Sequence, residues 1–412
     1  MDLTNRMRTL AGQIVHRSLK TLGAVVIALG IGSVGAQELV MPPTPEVPPL
    51  APAAPREGLV RLGSFSFLPR ISASVSYDDN LFIQDTDKVD DVMWTLGPGF
   101  TITSSDMRTD GGKSLTLSYG PSFLIYTDQT DRNTINPAAA LSASLAFTKL
   151  SLGLSQTVSA GTDPVVEAGT RTDRLALGTA LNARYAFGEK LSADVNFGLD
   201  ITDYAARYNS WTWSNGDGLN YQCSSRVNVG VGLTLGYIDM EGFPGQNYED
   251  LMVRATYSIS EKLGVNASAG LDWRQYRSGV DDTLSPIWDV AAVYRPQERT
   301  TLSLGLFQRN YSSAYYGNQN YLSTGANVGV RQELLTRYTF SVTARYYRSD
   351  YEATVVGVGS GSTDDVVAVG TQFDIKLNER WTAGVFYEFS HNASDSRRFT
   401  RNRVGLETRW AY

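Results

Sequence analysis

The stretch that decides the fold lies at residues 188–202 and reads GEKLSADVNFGLDIT. After a short charged turn, apolar residues from Leu191 to Ile201 occupy every second position, with polar residues or glycine between them. A period of two is the pattern of a β-strand with one apolar and one polar face. A tilted strand needs about ten residues to cross a bilayer, and this run supplies them.

The same unit, a charged turn followed by an alternating run, recurs to the end of the chain. Further runs begin at Leu263, Leu302, Phe340 and Trp381. The repetition predicts an all-β fold, a transmembrane antiparallel up-and-down β-barrel whose apolar residues face lipid. Runs this long and the lack of blade repeats disfavour a soluble sandwich or propeller.

Candidate strands add up to about 18, with 16 as the alternative count. The least regular region is 211–231, where we assign residues 205–218 to a loop and 219–227 to a strand. Short links such as Gly188–Lys190 alternate with longer polar links such as Asp163–Arg171. This alternation is typical of short periplasmic turns on one side and longer extracellular loops on the other.

The N-terminal region predicts secretion. Basic residues precede an apolar stretch from Leu22 to Val34 that ends in Val-Gly-Ala, the layout of a signal peptide. We therefore divide the chain into a signal peptide (1–36), a proline-rich periplasmic linker (37–67) and a barrel (68–412). The linker suits a passive spacer or, as the alternative, a docking segment for a periplasmic partner.

Composition excludes several functions. The chain has 36 Lys and Arg against 42 Asp and Glu, a net charge of −6, and the acid excess argues against nucleic-acid binding. A single cysteine, Cys223, excludes an internal disulfide. His391 would be the one histidine after cleavage, and its strand neighbour Ser390 should point to the opposite face. These features indicate a protein that is not an enzyme and carries no cofactor or metal.

The C-terminal strand places Val404, Leu406, Thr408, Trp410 and Tyr412 on one face. A final strand that ends in an aromatic residue resembles the signal read by the barrel insertion machinery of Gram-negative bacteria. The predicted location is therefore the bacterial outer membrane, with membrane lipid as a partner.

A short motif near the start of the barrel carries a family resemblance. The segment Tyr77-Asp78-Asp79-Asn80, followed by Leu81 and Phe82, resembles the β-barrel porin 2 family. That family includes outer-membrane proteins encoded with exopolysaccharide synthesis genes. The resemblance implies a barrel and, through the gene association, polysaccharide export components as partners.

Acidic residues cluster from Asp78 to Asp91, and carboxylates are ligands that calcium prefers. Their spacing does not match an EF-hand and no glycine falls at the required turn, so a strand-capping loop is favoured over calcium binding.

If the apolar set faces lipid, the alternate set lines the interior. The candidate pore-lining residues are Asp194, Asp200, Asp272, Arg274, Arg345, Tyr347, Glu388, Arg403, Glu407 and Arg409. Side chains of both charge signs suit a hydrated lumen, although pairs between them could also narrow it. Inward rings such as Tyr347 and Phe386 could contact sugars, but packing roles are favoured.

Two functions follow from this sequence. One is a porin-type channel that assists export of an extracellular polysaccharide. The other is a non-conducting structural or interaction barrel that docks periplasmic partners through its proline-rich arm. An outer-membrane hydrolase is disfavoured because such enzymes generally need a histidine beside a nucleophile.

Overall fold

The computed structural model of the protein describes residues 60–106, 112–162, 164–165, 170–205, 208–313, 319–354, 361–394 and 397–412. The predicted signal peptide and most of the proline-rich linker lie outside these residues. Within them, no helix is long and apolar enough to cross a membrane.

Nearly all regular structure in the described chain is β-strand. The strands are β1 Val60–Leu62, β2 Phe65–Asp78, β3 Asp91–Asp106, β4 Lys113–Tyr119, β5 Ser122–Tyr126, β6 Thr134–Asn136, β7 Ala138–Ala146, β8 Leu150–Gly161, β9 Pro164–Val165, β10 Thr170–Arg171, β11 Arg174–Ala186, β12 Leu191–Tyr204, β13 Ser210–Gln222, β14 Val227–Met240, β15 Gln246–Ser260, β16 Leu263–Tyr276, β17 Thr283–Gln297, β18 Thr300–Ser312, β19 Gln319–Leu334, β20 Tyr338–Ala353, β21 Thr363–Lys376, β22 Trp381–Asn392 and β23 Phe399–Ala411. A single 3₁₀ turn, Thr130–Arg132, lies in a loop.

Two wall strands are each interrupted by a proline. Pro121 separates β4 from β5, and Pro137 separates β6 from β7, because proline cannot donate to the ladder. Gly120 and Ala138 bridge the gap, each donating its backbone N–H to the other's carbonyl at 2.9 and 3.3 Å. We therefore count β4–β5 and β6–β7 as one wall strand each.

The wall closes into a barrel of eighteen antiparallel strands, as predicted. Each wall strand pairs with its sequence neighbours, and β2 pairs with β23 from Arg70↔Ala411 to Asp78↔Arg403. Closure leaves no free sheet edge, which is the condition for a β structure in lipid. The short strand β1 pairs with the start of β2, so regular structure begins within the predicted linker.

The predicted loop 205–218 and strand 219–227 are wrong. The structure places a wall strand, β13, at Ser210–Gln222, and the turn follows it. Its outward residues include Asn215 and Asp217, which break the apolar alternation that the prediction relied on. Hydrogen bonding to β12 and β14 along the whole strand outweighs that local signal.

The turns at the end of the barrel that holds the C-terminus are short. Links such as 187–190, 261–262 and 298–299 have two to four residues, whereas the described links at the other end have at least five. Exposed rings mark both ends of the apolar belt. Tyr77, Trp94 and Trp273 lie towards the long loops, and Tyr185, Tyr221, Tyr257, Tyr294 and Trp381 lie towards the short turns. The chain thus has the architecture of an outer-membrane β-barrel, with aromatic girdles at both interfaces.

Candidate functional site

The two faces of the wall differ sharply in chemistry. On β12, exposed Val195 and Phe197 alternate with Asp194, Asn196 and buried Asp200. Contacts between strands that are not neighbours, such as Arg274 of β16 with Ser312 of β18, identify the second face as the interior. The interior is therefore polar and the exterior apolar, as in a barrel with a hydrated lumen.

All ten candidate pore-lining residues lie on this interior face by strand register. They are Asp194 and Asp200 on β12, Asp272 and Arg274 on β16, Arg345 and Tyr347 on β20, Glu388 on β22, and Arg403, Glu407 and Arg409 on β23. The register does not bring them to one point, because they occupy different heights around the wall. That they line a conducting path stays a prediction.

Most of the charged members of this set are paired. Near the short-turn end, Arg409 lies 2.6 Å from Asp374 and 3.2 Å from Glu407. Arg403 lies 3.4 Å from Glu388, and Arg184 lies 3.7 Å from Asp194. Such pairs fix side chains against the wall and leave little net charge locally. Selectivity would then depend on groups left without a counter-charge.

The upper part of the β18–β19 hairpin separates from the β17 ladder and bends over the interior face, while β19 stays paired with β20 up to Gln319↔Ala353. Strand β18 pairs with β17 only up to Gln308. Beyond it, Arg309 still contacts Asp289 of β17, whereas Asn310 and Ser312 contact β15 and β16. Arg274 donates to Ser312 Oγ at 3.0 Å and to the Asn310 carbonyl at 2.7 Å, while Asn310 Nδ2 donates to Asp272 at 3.0 Å. The hairpin therefore covers part of the interior face of β15 and β16.

A second set of contacts holds the same hairpin. Asn320 at the start of β19 exchanges side-chain hydrogen bonds with Gln246 of β15, at 2.8 and 3.2 Å. Asn320 also donates to the Tyr276 hydroxyl at 2.9 Å. Asn320 and Ser312 are 2% and 1% exposed, so the docked hairpin is a packed element of the interior.

Sequence reasoning missed this docking. Asn310, Ser312 and Asn320 fall on the parity that should face lipid, yet each is polar. Polar residues on both parities at the top of one hairpin are the signal that the hairpin bends away from its neighbour β17.

Interior tyrosines are mostly buried. Tyr347 packs with Phe307 and Val366, and Tyr321 stacks between Tyr311 and Tyr351 at 5.4 and 4.9 Å between ring centroids. Tyr347 is 3% exposed, so its ring has a packing role in this conformation. Phe386 instead lies under the guanidinium of Arg403, at 5.3 Å.

The family-like motif lies at the seam where the first and last wall strands meet. Fully buried Asp78 accepts from Arg401 Nε at 3.0 Å, and Asp79 accepts from the backbone and side-chain nitrogens of Asn402 at 2.6 and 2.7 Å. Asn80 donates to the Thr400 carbonyl at 3.0 Å, and Tyr77 donates to Asp90 at 3.1 Å. The motif therefore fastens β2 and its loop to β23.

No metal site is evident in the part of the chain that the structure describes, including the acidic loop after Asp78. His391 faces outward and shares a hydrogen bond of 2.9 Å with Thr400 Oγ1, while Ser390 lies on the opposite face. Asp395, the acid that follows this pair in the sequence, lies outside the described residues. Ser390 and His391 thus have the opposed orientation that the strand pattern predicts.

No family model matches the chain, and no curated protein matches it. Solved structures from Pseudomonas aeruginosa match the chain at low similarity. OpdK with vanillate has a TM-score of 0.47 and 13% identity over 84% of this chain and 99% of that chain. OccK2 with glucuronate has a TM-score of 0.48 and 13% identity over 84% of this chain and 98% of that chain. OccK11 has a TM-score of 0.45 and 13% identity over 84% of this chain and 96% of that chain. Likeness at this level transfers neither a substrate nor a mechanism to this chain.

Proposed function

We propose that the protein is a channel-forming barrel of the bacterial outer membrane that assists export of an extracellular polysaccharide. The observation that carries the channel proposal is the closed eighteen-strand wall with a charged, hydrogen-bonding interior. Barrels with this number of strands are wide enough to leave an aqueous path. Passage would be passive, with interior side chains setting selectivity.

The polysaccharide part rests on the resemblance of Tyr77–Asn80 to the β-barrel porin 2 family. It is a resemblance of sequence, and the motif's contacts serve the seam of the barrel. Deleting the gene should reduce secreted polysaccharide while leaving its intracellular synthesis intact. Unchanged secretion would contradict the export role without touching the channel.

Single-channel conductance in planar bilayers tests the channel. The purified barrel should give discrete conductance steps in potassium chloride. Replacing Arg409 by Gln should shift the reversal potential towards cation selectivity, because Asp374 and Glu407 lose their shared counter-charge. A barrel that inserts but never conducts would contradict the proposal.

A second function has a specific observation in its favour. The docked β18–β19 hairpin and the many interior ion pairs occupy part of the lumen, which suits a non-conducting interaction barrel. In that case deletion of residues 37–58 should disable polysaccharide assembly, whereas a plain channel should tolerate the deletion. Conductance and secretion measured on the same deletion variant distinguish the two functions.

A further inference from the structure

Arg345 differs from three other arginines of the described chain, each of which is paired with an acid. Arg309 lies 2.7 Å from Asp289, Arg397 lies 2.7 Å from Asp364, and Arg403 lies 3.4 Å from Glu388. Arg345 is 8% exposed, and neither its Nε nor its Nη1 has a hydrogen-bond partner among the described residues. A buried guanidinium without a partner is costly, so its persistence needs an explanation.

An unpaired acceptor lies directly across from this unpaired donor. Asn327 of β19 is the register partner of Arg345 of β20, and it is 6% exposed. Its Oδ1 is buried and also lacks a partner in the described chain. Neighbouring side chains thus present two unpaired nitrogen atoms and one unpaired oxygen atom that do not satisfy each other.

Small residues flank this pair. The interior row across β18–β21 reads Gly305, Asn327, Arg345 and Ala368. A Cβ at Gly305 would lie 2.6 Å from Asn327 Oδ1, so only glycine leaves room for the amide there. Arg345 and Asn327 are therefore the large polar groups of the row, flanked by residues without bulk.

The adjoining row supplies an apolar wall. Phe307, Tyr347 and Val366 form a buried cluster across β18, β20 and β21, one register step from the polar row. Arg345, unlike the arginines paired with Asp289, Asp364 and Glu388, has no acidic partner among the described residues.

We propose that Arg345 and Asn327 form a binding site for a hydroxylated carboxylate. The carboxylate accepts charge-assisted hydrogen bonds from Nε and Nη1 of Arg345, and a ligand hydroxyl donates to Oδ1 of Asn327. One ligand thereby satisfies all three unpaired atoms. This proposal rests on the proposed channel function, because the ligand reaches Arg345 through the lumen. It identifies an acidic sugar as the class of substrate.

Calorimetric titration of the purified, detergent-solubilised barrel tests the site, with D-galacturonate as probe. D-Galactose, which has the same ring without the carboxylate, should not bind. Arg345→Gln should weaken galacturonate binding by roughly tenfold or more, since hydrogen bonds to charged groups contribute about 1.5–3 kcal/mol. Arg184→Gln, which changes an exposed interior arginine on the distant strand β11, should leave affinity unchanged.

A second variant tests the role of Asn327 separately from that of Arg345. Asn327→Leu should weaken galacturonate but not cyclohexanecarboxylate, which has no hydroxyl to donate. Heat-modifiable gel mobility of each variant checks that the barrel is folded. Equal binding of galactose and galacturonate, or unchanged galacturonate affinity in folded Arg345→Gln, would overturn the site.

The channel proposal and the binding-site proposal can be contradicted independently of each other. Conductance without galacturonate binding overturns the site and leaves the channel. Galacturonate binding that depends on Arg345, in a barrel that never conducts, supports the site and overturns the channel.

Discussion

The carboxylate of Asp78 and the guanidinium of Arg401 join the two ends of the described barrel across 323 residues of sequence. Arg401 Nε lies 3.0 Å from each carboxylate oxygen, and the Asp78 side chain is 1% exposed. Because β2 and β23 are the first and last wall strands, this pair forms only when the cylinder has closed. It is a tertiary contact that marks closure.

Replacing Asp78 by Leu should weaken the barrel by about 3 kcal/mol or more, because it leaves the Arg401 charge without its buried partner. The measurement is the temperature to which a sample must be heated before electrophoresis for the band of the folded barrel to disappear. Asp85→Asn, in the exposed part of the same loop, should have no effect. A Leu variant as heat-resistant as the parent would show that the pair is dispensable.

Loosening the docked hairpin should widen the lumen. The double variant Gln246→Ala, Asn320→Ala removes the reciprocal hydrogen bonds between β15 and β19. We expect larger and noisier single-channel conductance, because the hairpin then spends time away from the interior wall. Thr324→Ala, which removes a hydrogen bond to Gln308 on the outward face, is the control and should not change conductance. Identical conductance in the double variant and the parent would argue against a constriction here.

Two glycines of β16 should respond differently to alanine. A Cβ at Gly270 would overlap the carbonyl oxygen of Leu251 in the neighbouring strand, whereas a Cβ at Gly264 meets nothing within 4 Å. Gly270→Ala should therefore cost about 1–3 kcal/mol through overpacking, and Gly264→Ala should cost almost nothing. Urea unfolding in lipid vesicles, followed by tryptophan fluorescence, measures both. Equal stabilities of the two variants would mean that the backbone around Gly270 shifts to accept a Cβ without loss of stability.

Asp217 places a carboxylate on the lipid-facing side. It lies between Trp213 and Tyr221 on the outward face of β13, with Asn215 Nδ2 donating to it at 3.0 Å. Asp217→Leu should stabilise the barrel in vesicles by about 1 kcal/mol, because a charged group within the apolar belt is unfavourable. Asp203→Leu, on the outward face near the outer end of β12, should change stability less. A loss of stability in Asp217→Leu would contradict contact with lipid at this position.

The alternation of apolar and polar residues predicted most of the fold, because successive side chains of a strand point to opposite faces whatever their neighbours are. It placed the run Leu191–Ile201 within β12, which begins at Leu191, and it placed Asp272 and Arg345 on the interior face. It failed at β13, where Asn215 and Asp217 interrupt the outward apolar run. There the strand is held by its ladders to both neighbours rather than by its own pattern.

The sequence by itself determined a membrane β-barrel of about 18 strands, with 16 left open, and its apolar exterior and polar interior, because a period of two is a local property of the chain. Only the tertiary structure decided that Asp78 meets Arg401, that Asn320 docks on Gln246, and that Arg345 faces Asn327 with both groups unsatisfied. These relationships depend on strand register and on the separation of the β18–β19 hairpin from β17. Register is set by the sum of many cross-strand hydrogen bonds and contacts, which no short stretch of sequence contains.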